Sequence, residues 1–489
     1  MSDVNRKMAA GIAWMSLMRL GVKGLGLIST VVLARLLVPG DFGLVAMAMS
    51  VVSGLELFRA FSFDVALIQK SDADRSYYDT AWTLNVLFGV ALALILLGIT
   101  PFAAEFFKEP RLQVVMQLIA LGVFVSGFEN IGVVAFRKDL DFRKEFLLRV
   151  VQKACSTAIC LSFAFLLKNY WALVIGTVAD NILGVLITYV AHPFRPRFSL
   201  AMSRHLVSFS KWLLATNVLY FFRDRGADYV LGRVAGASTL GLFTISVDIA
   251  NLPTAEIIAP INRAVLPAYA KMAHDLEQLR QGFLNVIGFV LALALPAGFG
   301  IAVTSDLIVN VLLGTKWAAA APTISILAIS GAINALQTNS GVVHYAMGRP
   351  RTVATMSMVH VLFLFPSVVW AAYYYGAIGI AWANLAAIVA IVPANFWIVL
   401  RRLHLSIPRL LAVAWRPIVA TGVMYVVTGY VIALCASLTL ATLLFSIAAG
   451  AAAYFATLMA LWFIAGRPSG PEQTVTNKVL LPFWTRVVS

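Results

Sequence analysis

At 489 residues, with 61% hydrophobic and only 12% charged side chains, the chain does not have the composition of a soluble protein; soluble domains carry about 45–50% apolar and roughly 25% charged residues. The net charge of +15 would suit a polyanion such as nucleic acid, but the placement of the charges excludes that reading. Loops of one sidedness, together with both termini, hold 24 of the 37 Lys and Arg, the opposite loops hold 6, and 7 lie within apolar segments. That is the positive-inside bias of a membrane protein, and it puts both termini in the cytoplasm.

The apolar runs are long enough to cross a hydrocarbon core, which takes about 20 residues. The expected fold is therefore an all-α polytopic membrane protein of about fourteen spans, placed roughly at 9–37, 42–68, 79–101, 112–136, 149–167, 171–191, 207–232, 239–267, 283–304, 321–346, 352–375, 377–400, 416–437 and 440–465. The first segment carries Arg19 and Lys23 and is too long for a signal-peptide core, so it reads as the first span. Asp72, Asp74 and Ser76 precede the third segment and are candidate caps. Pro101 is expected to close that segment. The basic loop from Arg137 to Arg149 reads either as an interfacial helix with Phe142, Phe146 and Leu147 on its apolar side or as a solvated loop. The longest internal loop runs from His192 to Trp212, and Pro193 and Pro196 exclude a continuous helix there.

One stretch occurs twice. Val32 to Leu44 reads VLARLLVPGDFGL, and Val230 to Leu242 reads VLGRVAGASTLGL, at an offset of 198 residues. The offset superposes Val32, Leu33, Arg35, Gly43 and Leu44 on Val230, Leu231, Arg233, Gly241 and Leu242, and Trp14 on Trp212. A long repeat of this kind marks a protein of two similar halves. With six spans each, the halves share an orientation, which implies a pseudo-two-fold axis along the membrane normal. The expected organisation is a six-helix lobe over 1–198, a second over 199–403, and two additional helices with a tail over 404–489.

Ionisable residues within spans are costly and usually face a cavity or one another. Span one carries Arg19 and Lys23; span two Glu56, Arg59 and Asp64; spans four to six Glu129, Lys153 and Asp180. Span seven carries Arg223, Asp224, Arg225 and Asp228, and span eight Asp248, Glu256 and Arg263; spans nine to fourteen are read as carrying none. Arg19 and Lys23 share a helical face, as do Asp224 and Asp228, and Glu256 and Arg263, while Glu56 and Arg59 can pair within their own helix. Asp224 and Asp228 together suit a proton site. The bland alternative is that all these charges are structural ion pairs. Their concentration in the first two helices of each half favours the lining of a polar space.

Other chemistry is missing. There is no G-x-x-x-x-G-K-[ST] phosphate loop, no His, Cys and carboxylate grouping with metal-ligand spacing, and no large outer loop for a glycan-polymerising active site. Cys155, Cys160 and Cys435 all fall in apolar segments and read as packing residues. No cofactor and no metal is expected.

Several motifs then carry a resemblance. VLARLLVPGDFGLVAMA, FDVALIQKSDADRSYYDTAWTLNV, FRKDLDFRKE, NYWALVIG, LLGTKWAAAAP and AMGRPR resemble, in order and over nearly the whole chain, the polysaccharide exporters of the multidrug/oligosaccharidyl-lipid/polysaccharide (MOP) flippase superfamily. The lipopolysaccharide and colanic-acid exporter branch is the nearest in pattern. The resemblance implies a transporter rather than an enzyme, with two six-helix lobes around a central cavity. It implies flipping of an undecaprenyl-pyrophosphate-linked oligosaccharide to the outer leaflet of a bacterial inner membrane. The implied substrate contacts are Arg19, Lys23, Arg59, Arg223, Arg225 and Arg263 for the diphosphate, Glu56 as an anion displaced by it, and Asn262 for sugar hydroxyls, with Asn217, Asn334, Gln337 and Asn339 as further amides. Asp224, Asp228, Glu129 and Glu256 are the candidates for proton or ion coupling. Implied partners are the lipid-linked glycan, membrane lipids and the polysaccharide polymerase and export machinery, with the protein a monomer. The competing classes are a cation-coupled drug exporter, a membrane glycan-assembly enzyme and a non-transporting scaffold.

The charge sorting has a direct test. Cysteines introduced at Arg143 and Lys108 should react oppositely with an impermeant reagent on intact cells: position 108 labels and position 143 does not. The reverse pattern overturns the orientation.

Overall fold

A computed structural model describes residues 2–57, 67–68, 74–253, 256, 258–435, 437–468 and 472–473, with side chains left aside at 2–10, 12, 204–220, 222–224 and 259. The described residues form helices joined by short non-helical segments, with no strand. The helices are α1 Ser2–Leu36, α2 Pro39–Glu56, α3 Arg75–Phe107, α4 Arg111–Ser126, α5 Val134–Lys138, α6 Phe142–Leu167 and α7 Trp171–Ala191. They continue as α8 Ser203–Ala250, α9 Ala259–Met272, α10 Leu276–Ile308, α11 Ala321–Ala346, α12 Pro350–Arg402, α13 Ile407–Leu434 and α14 Leu440–Ile464. Two compact units result, Met1–Gly241 and Leu242–Ser489.

Among the described residues ten helices are long and apolar enough to cross a membrane, eleven if α4 and the bent Ile131–Lys138 piece count as one span. Segments 352–375 and 377–400 fall on α12, which is two helices joined at a kink, each long enough for a crossing. Its backbone leaves helical geometry at Gly376, φ 58° and ψ −137°, a conformation that glycine alone adopts without strain. Asp74 caps α3 as expected, its Oδ1 accepting from Tyr77 N at 3.2 Å. Asp141, Asp275 and Thr439 cap α6, α10 and α14 in the same way. Asp72, Arg59 and Asp64 lie outside the described residues.

Four expectations need correction. Pro101 does not close the third segment: α3 runs through it to Phe107. A proline removes one backbone donor, and a buried apolar helix tolerates the loss where neighbouring packing holds it. The Arg137–Arg149 loop is neither an interfacial helix nor a loop throughout, because α6 already starts at Phe142. Phe146 packs on Trp14 of α1 with ring centroids 5.2 Å apart. Span eight is not one uniform α-helix: α8 ends at Ala250 and α9 starts at Ala259, with Glu256 and Ile258 between them in π-helical geometry. The central linker is shorter than expected, since α8 begins at Ser203.

That linker is extended from His192 to Leu200 and is bound to the first turns of α3. Arg197 N donates to Asp79 Oδ1 and Ser199 N to Thr83 Oγ1, both at 2.9 Å, while Met202 N reaches Thr80 Oγ1 at 3.4 Å. Asn130, fully buried, donates through Nδ2 to the carbonyls of Phe194 and His192 at 2.9 and 3.3 Å. Phe198 packs on Trp82 at 4.9 Å. Burial, Lys144 and Arg195 push the His192 imidazole below its ordinary value, so at neutral pH its Nδ1 accepts from Phe194 N at 3.1 Å. Side chains thus supply the partners a non-helical backbone needs at this depth.

Within Met1–Gly241, α1 packs on α6, α3 on α4, and α4 on α7, with α2 against α3, α4 and α7. The repeated stretch lies at a backbone crossing. The first copy turns at Val38, φ −112° and ψ 159°, into α2; Pro39 is its first residue, and Val38 N donates to Asp41 Oδ2 at 3.1 Å. At the matching place, 198 residues on, Gly236 breaks α8 with φ 78° and ψ 179°. The two turns then meet. A Cβ on Gly43 would collide with Ala237 O, and one on Gly241 with Pro39 O. Each would also lie 2.9 Å from the other's N, and a Cβ on Gly40 would stand 3.2 Å from Ser238 Oγ. Every contact maps onto its own mirror under the 198-residue offset. That is the signature of a two-fold-related crossing, and only glycine lets the backbones approach so closely.

Gly43→Ala and Gly241→Ala should each destabilise the protein by about 1–3 kcal/mol through overpacking against backbone. Gly98→Ala, where nothing lies within 4 Å, is the neutral control. Thermal melting of detergent-purified variants measures this, and equal melting of all three contradicts the crossing.

Candidate functional site

The first unit holds most of the candidate charges. Arg19 and Lys23 lie one turn apart on α1, Arg19 half-exposed and Lys23 exposed. Arg19 has no ion pair among the described residues, so it is available to an anion. Glu56 is the exposed last residue of α2. Arg223 and Asp224 sit on α8 with side chains outside the description. Arg225 Nη1 lies 3.2 Å from Oδ2 of the buried Asp228, an i,i+3 pair on one helix. The neighbouring Tyr229 donates through its hydroxyl to Ser50 O at 2.8 Å and stacks on Phe107 at 6.0 Å, tying this part of α8 to α2 and α3.

Glu129 belongs to a polar chain that joins the segment after α4 to α6 and α7. Arg149 on α6 places Nη2 3.3 Å from Glu129 Oε1 and donates through Nη1 to Gln152 Oε1 at 3.2 Å. Gln152 Nε2 donates to Asp180 O on α7 at 3.0 Å, and Ser156 Oγ to Asp180 Oδ1 at 2.6 Å. The sequence reading singled out Glu129 and Asp180 but missed their partners. The signal was there: Arg149, Gln152 and Ser156 fall at i, i+3 and i+7, one polar stripe on an otherwise apolar helix.

In Leu242–Ser489, α11 packs against α10, α12 and α9, and α13 against α10 and α14. Glu256 lies in a π-helical turn just before α9, and Arg263 lies on α9. Glu256 is half-buried and Arg263 exposed. Asn262 joins an amide cluster: its Nδ2 donates to Thr338 Oγ1 at 2.8 Å, and Asn339 Nδ2 donates to its Oδ1 at 3.4 Å. Tyr269 donates to Asn339 Oδ1 at 3.2 Å. Gln337 Nε2 bonds to Asn334 Oδ1 at 2.6 Å and Asn395 Nδ2 to Gln337 Oε1 at 3.1 Å, linking α11 to α12. Asn339 is fully buried and therefore a packing element, whereas Asn262, Asn334 and Gln337 keep partial exposure. His344 is buried with Nδ1 3.2 Å from Arg402 Nη1. No grouping of three or more His, Cys, Asp or Glu that would hold a metal occurs among the described residues.

One charge was overlooked. The last six spans were read as free of ionisable residues, yet α13 starts at Ile407 and carries Arg416 into the bundle, 2% exposed. The run IPRLLAVAW before it already has helical, apolar character and should have moved the span's start upstream.

Residues 32–322 match the family model described as polysaccharide biosynthesis protein. The chain belongs to that family. Its ten or eleven long apolar helices make it a multi-pass membrane protein by length and composition. Among its relatives is the lipopolysaccharide biosynthesis protein WzxC of Escherichia coli K12, 22% identical over 388 residues, 77% of this chain and 78% of that one. The teichuronic acid biosynthesis protein TuaB of Bacillus subtilis 168 is 24% identical over 436 residues, 87% and 89% of the two chains. The fold is that of the lipid II flippase MurJ in an inward closed conformation, TM-score 0.74 at 13% identity, covering 92% of this chain and 99% of that one. An inward-facing multidrug transporter of the MATE family matches at TM-score 0.62 and 14% identity, over 81% and 99%.

Proposed function

We propose that this transporter flips a lipid-linked oligosaccharide, carried on undecaprenyl pyrophosphate, from the cytoplasmic to the periplasmic leaflet of a bacterial inner membrane. Both termini face the cytoplasm. Two lobes of six crossings, 1–198 and 199–403, rock against each other, with 404–489 appended. The headgroup of such a substrate is a sugar chain on an anionic diphosphate, and its tail can stay in lipid. The protein then needs cations for the diphosphate and neutral amides for the sugar hydroxyls.

The observation that carries this reading is the pair Arg19 and Lys23, two cations one turn apart on a membrane-crossing helix, with Arg19 unpaired among the described residues. Like charges in a low dielectric repel unless an anion bridges them, and a diphosphate is such an anion. Arg59, Arg223, Arg225 and Arg263 are the further cations. Asn262, Asn334 and Gln337 are the amides with exposure to spare. Glu56, expected as an anion that substrate displaces, does not stand against Arg19 in this structure, so that displacement is not part of this reading. Asp224, Asp228, Glu129 and Glu256 are the groups for coupling to protons or ions, and the polar chain around Glu129 and Asp180 suits a group whose charge must change inside the membrane.

The test is transport of lipid-linked oligosaccharide by purified protein in liposomes. Arg19→Ala should leave insertion intact and lose about 1.5–3 kcal/mol of headgroup contact, roughly ten- to a hundredfold in affinity. Arg19→Lys should retain part of the activity, keeping charge without the two-pronged fork. Normal transport by well-inserted Arg19→Ala protein removes this residue from the site. Export of cationic drugs with no glycan transport points instead to the drug-exporter class.

A further inference from the structure

We propose that the appended helix pair carries an anion site of its own, centred on Arg416, which the tail carboxylate of Glu472 occupies in this structure and which the phosphate of a lipid headgroup takes when the tail leaves. The site lies outside the two lobes and goes beyond the substrate reading above.

Arg416 stands more than two helical turns inside α13. Its Nη1 lies 2.9 Å from Glu472 Oε1, and both side chains are only 2% exposed. The contact has the distance of an ion pair without the alignment of a hydrogen bond, and Nε makes no hydrogen bond at all. A guanidinium offers five N–H donors in a planar fork, and here the fork is sealed in low dielectric with its bonding incomplete. Such a group is costly unless fully paired. A phosphate, with more oxygens and the geometry that a guanidinium bonds through two prongs, satisfies it better than one carboxylate oxygen does.

The route of the chain explains why the carboxylate wins in the absence of that ligand. After α14 the backbone turns at Gly466 and Arg467, with φ 77° and 55°. Arg467 N donates to Trp462 O, and Trp462 Nε1 to Pro468 O, each at 3.0 Å. The Arg467 guanidinium covers the Phe463 ring at 4.9 Å. The tail is therefore folded back on the end of α14, and only a few residues separate this turn from Glu472. A short tether gives the carboxylate a high effective concentration at Arg416. A lipid phosphate is a competing anion supplied by the surrounding membrane.

The experiment uses the full chain in nanodiscs, with Cys155→Ser and Cys160→Ser, and spin labels on native Cys435 and on Gln473→Cys. In phosphatidylcholine the 435–473 distance distribution should be narrow. Adding phosphatidylglycerol should broaden it, as lipid displaces the tail. Glu472→Gln should be broad already, with the tail-bound fraction reduced roughly tenfold or more, and should retain an extra phosphatidylglycerol by native mass spectrometry. Arg416→Gln should be broad and retain none. Should Arg416→Gln fail to insert, the charge swap Arg416→Glu with Glu472→Arg keeps the test alive: a narrow distribution that no longer responds to phosphatidylglycerol supports the site. A narrow distribution in Glu472→Gln overturns the latch. Broadening by inorganic phosphate with phosphatidylglycerol silent overturns the lipid as ligand.

Discussion

The contact on which the rest depends is a backbone crossing between two copies of one turn. Gly43 meets Ala237 and Gly241 meets Pro39 with no space for a side chain at either glycine. A contact of this kind has little tolerance: helices that touch through side chains slide and repack, whereas backbones separated only by hydrogen either fit or part. Val38 and Gly236 set the turn at matching places, and Pro39 with Asp41 fixes the start of α2. The crossing therefore fixes where α2 and the second part of α8 enter the bundle. These are two of the helices that carry the candidate cations and carboxylates.

Polar groups elsewhere follow the same economy of partners. The extended linker would leave backbone donors and acceptors stranded, and Asp79, Thr80, Thr83 and Asn130 take them up. In the first unit, Glu129, Arg149, Gln152, Asp180 and Ser156 connect the segment after α4 to α6 and α7. In the second unit the groups are amides and hydroxyls and carry no charge around Asn262 and Asn339. Buried polarity of either kind is stable only when its bonding is nearly complete. Groups with capacity left over, such as Arg19, Asn334 and the fork of Arg416, are the places where a ligand gains most.

Much of the fold was legible in the sequence because hydrophobic length decides membrane crossing. The reversal at Gly376 fell in the one-residue gap between two predicted spans, and the 198-residue repeat pointed to the two turns that meet. What the sequence hid was mostly where helices run on. Pro101 and the Arg137–Arg149 stretch look like boundaries in polarity, but α3 and the start of α6 pass through them, since packing on neighbours outweighs a local signal. Arg416 stood at the very edge of an expected span for the same reason, although the helix starts nine residues earlier. Partner identity was the other hidden part. Asp228 reads as the mate of Asp224 by helical spacing, yet it pairs with Arg225. The glycines of the crossing were visible only as repeat identities, with nothing to say that one copy would touch the other.

The most direct test of this account is a reversible lock on the crossing. Gly40→Cys with Ser238→Cys places two thiols where a glycine Cβ and a serine hydroxyl already approach to 3.2 Å, in a background without the native cysteines. Oxidation should form the disulfide readily and stop transport of lipid-linked glycan into liposomes, and reduction should restore it. Transport that continues unchanged in fully cross-linked protein would show that the crossing does not open, and would contradict the account.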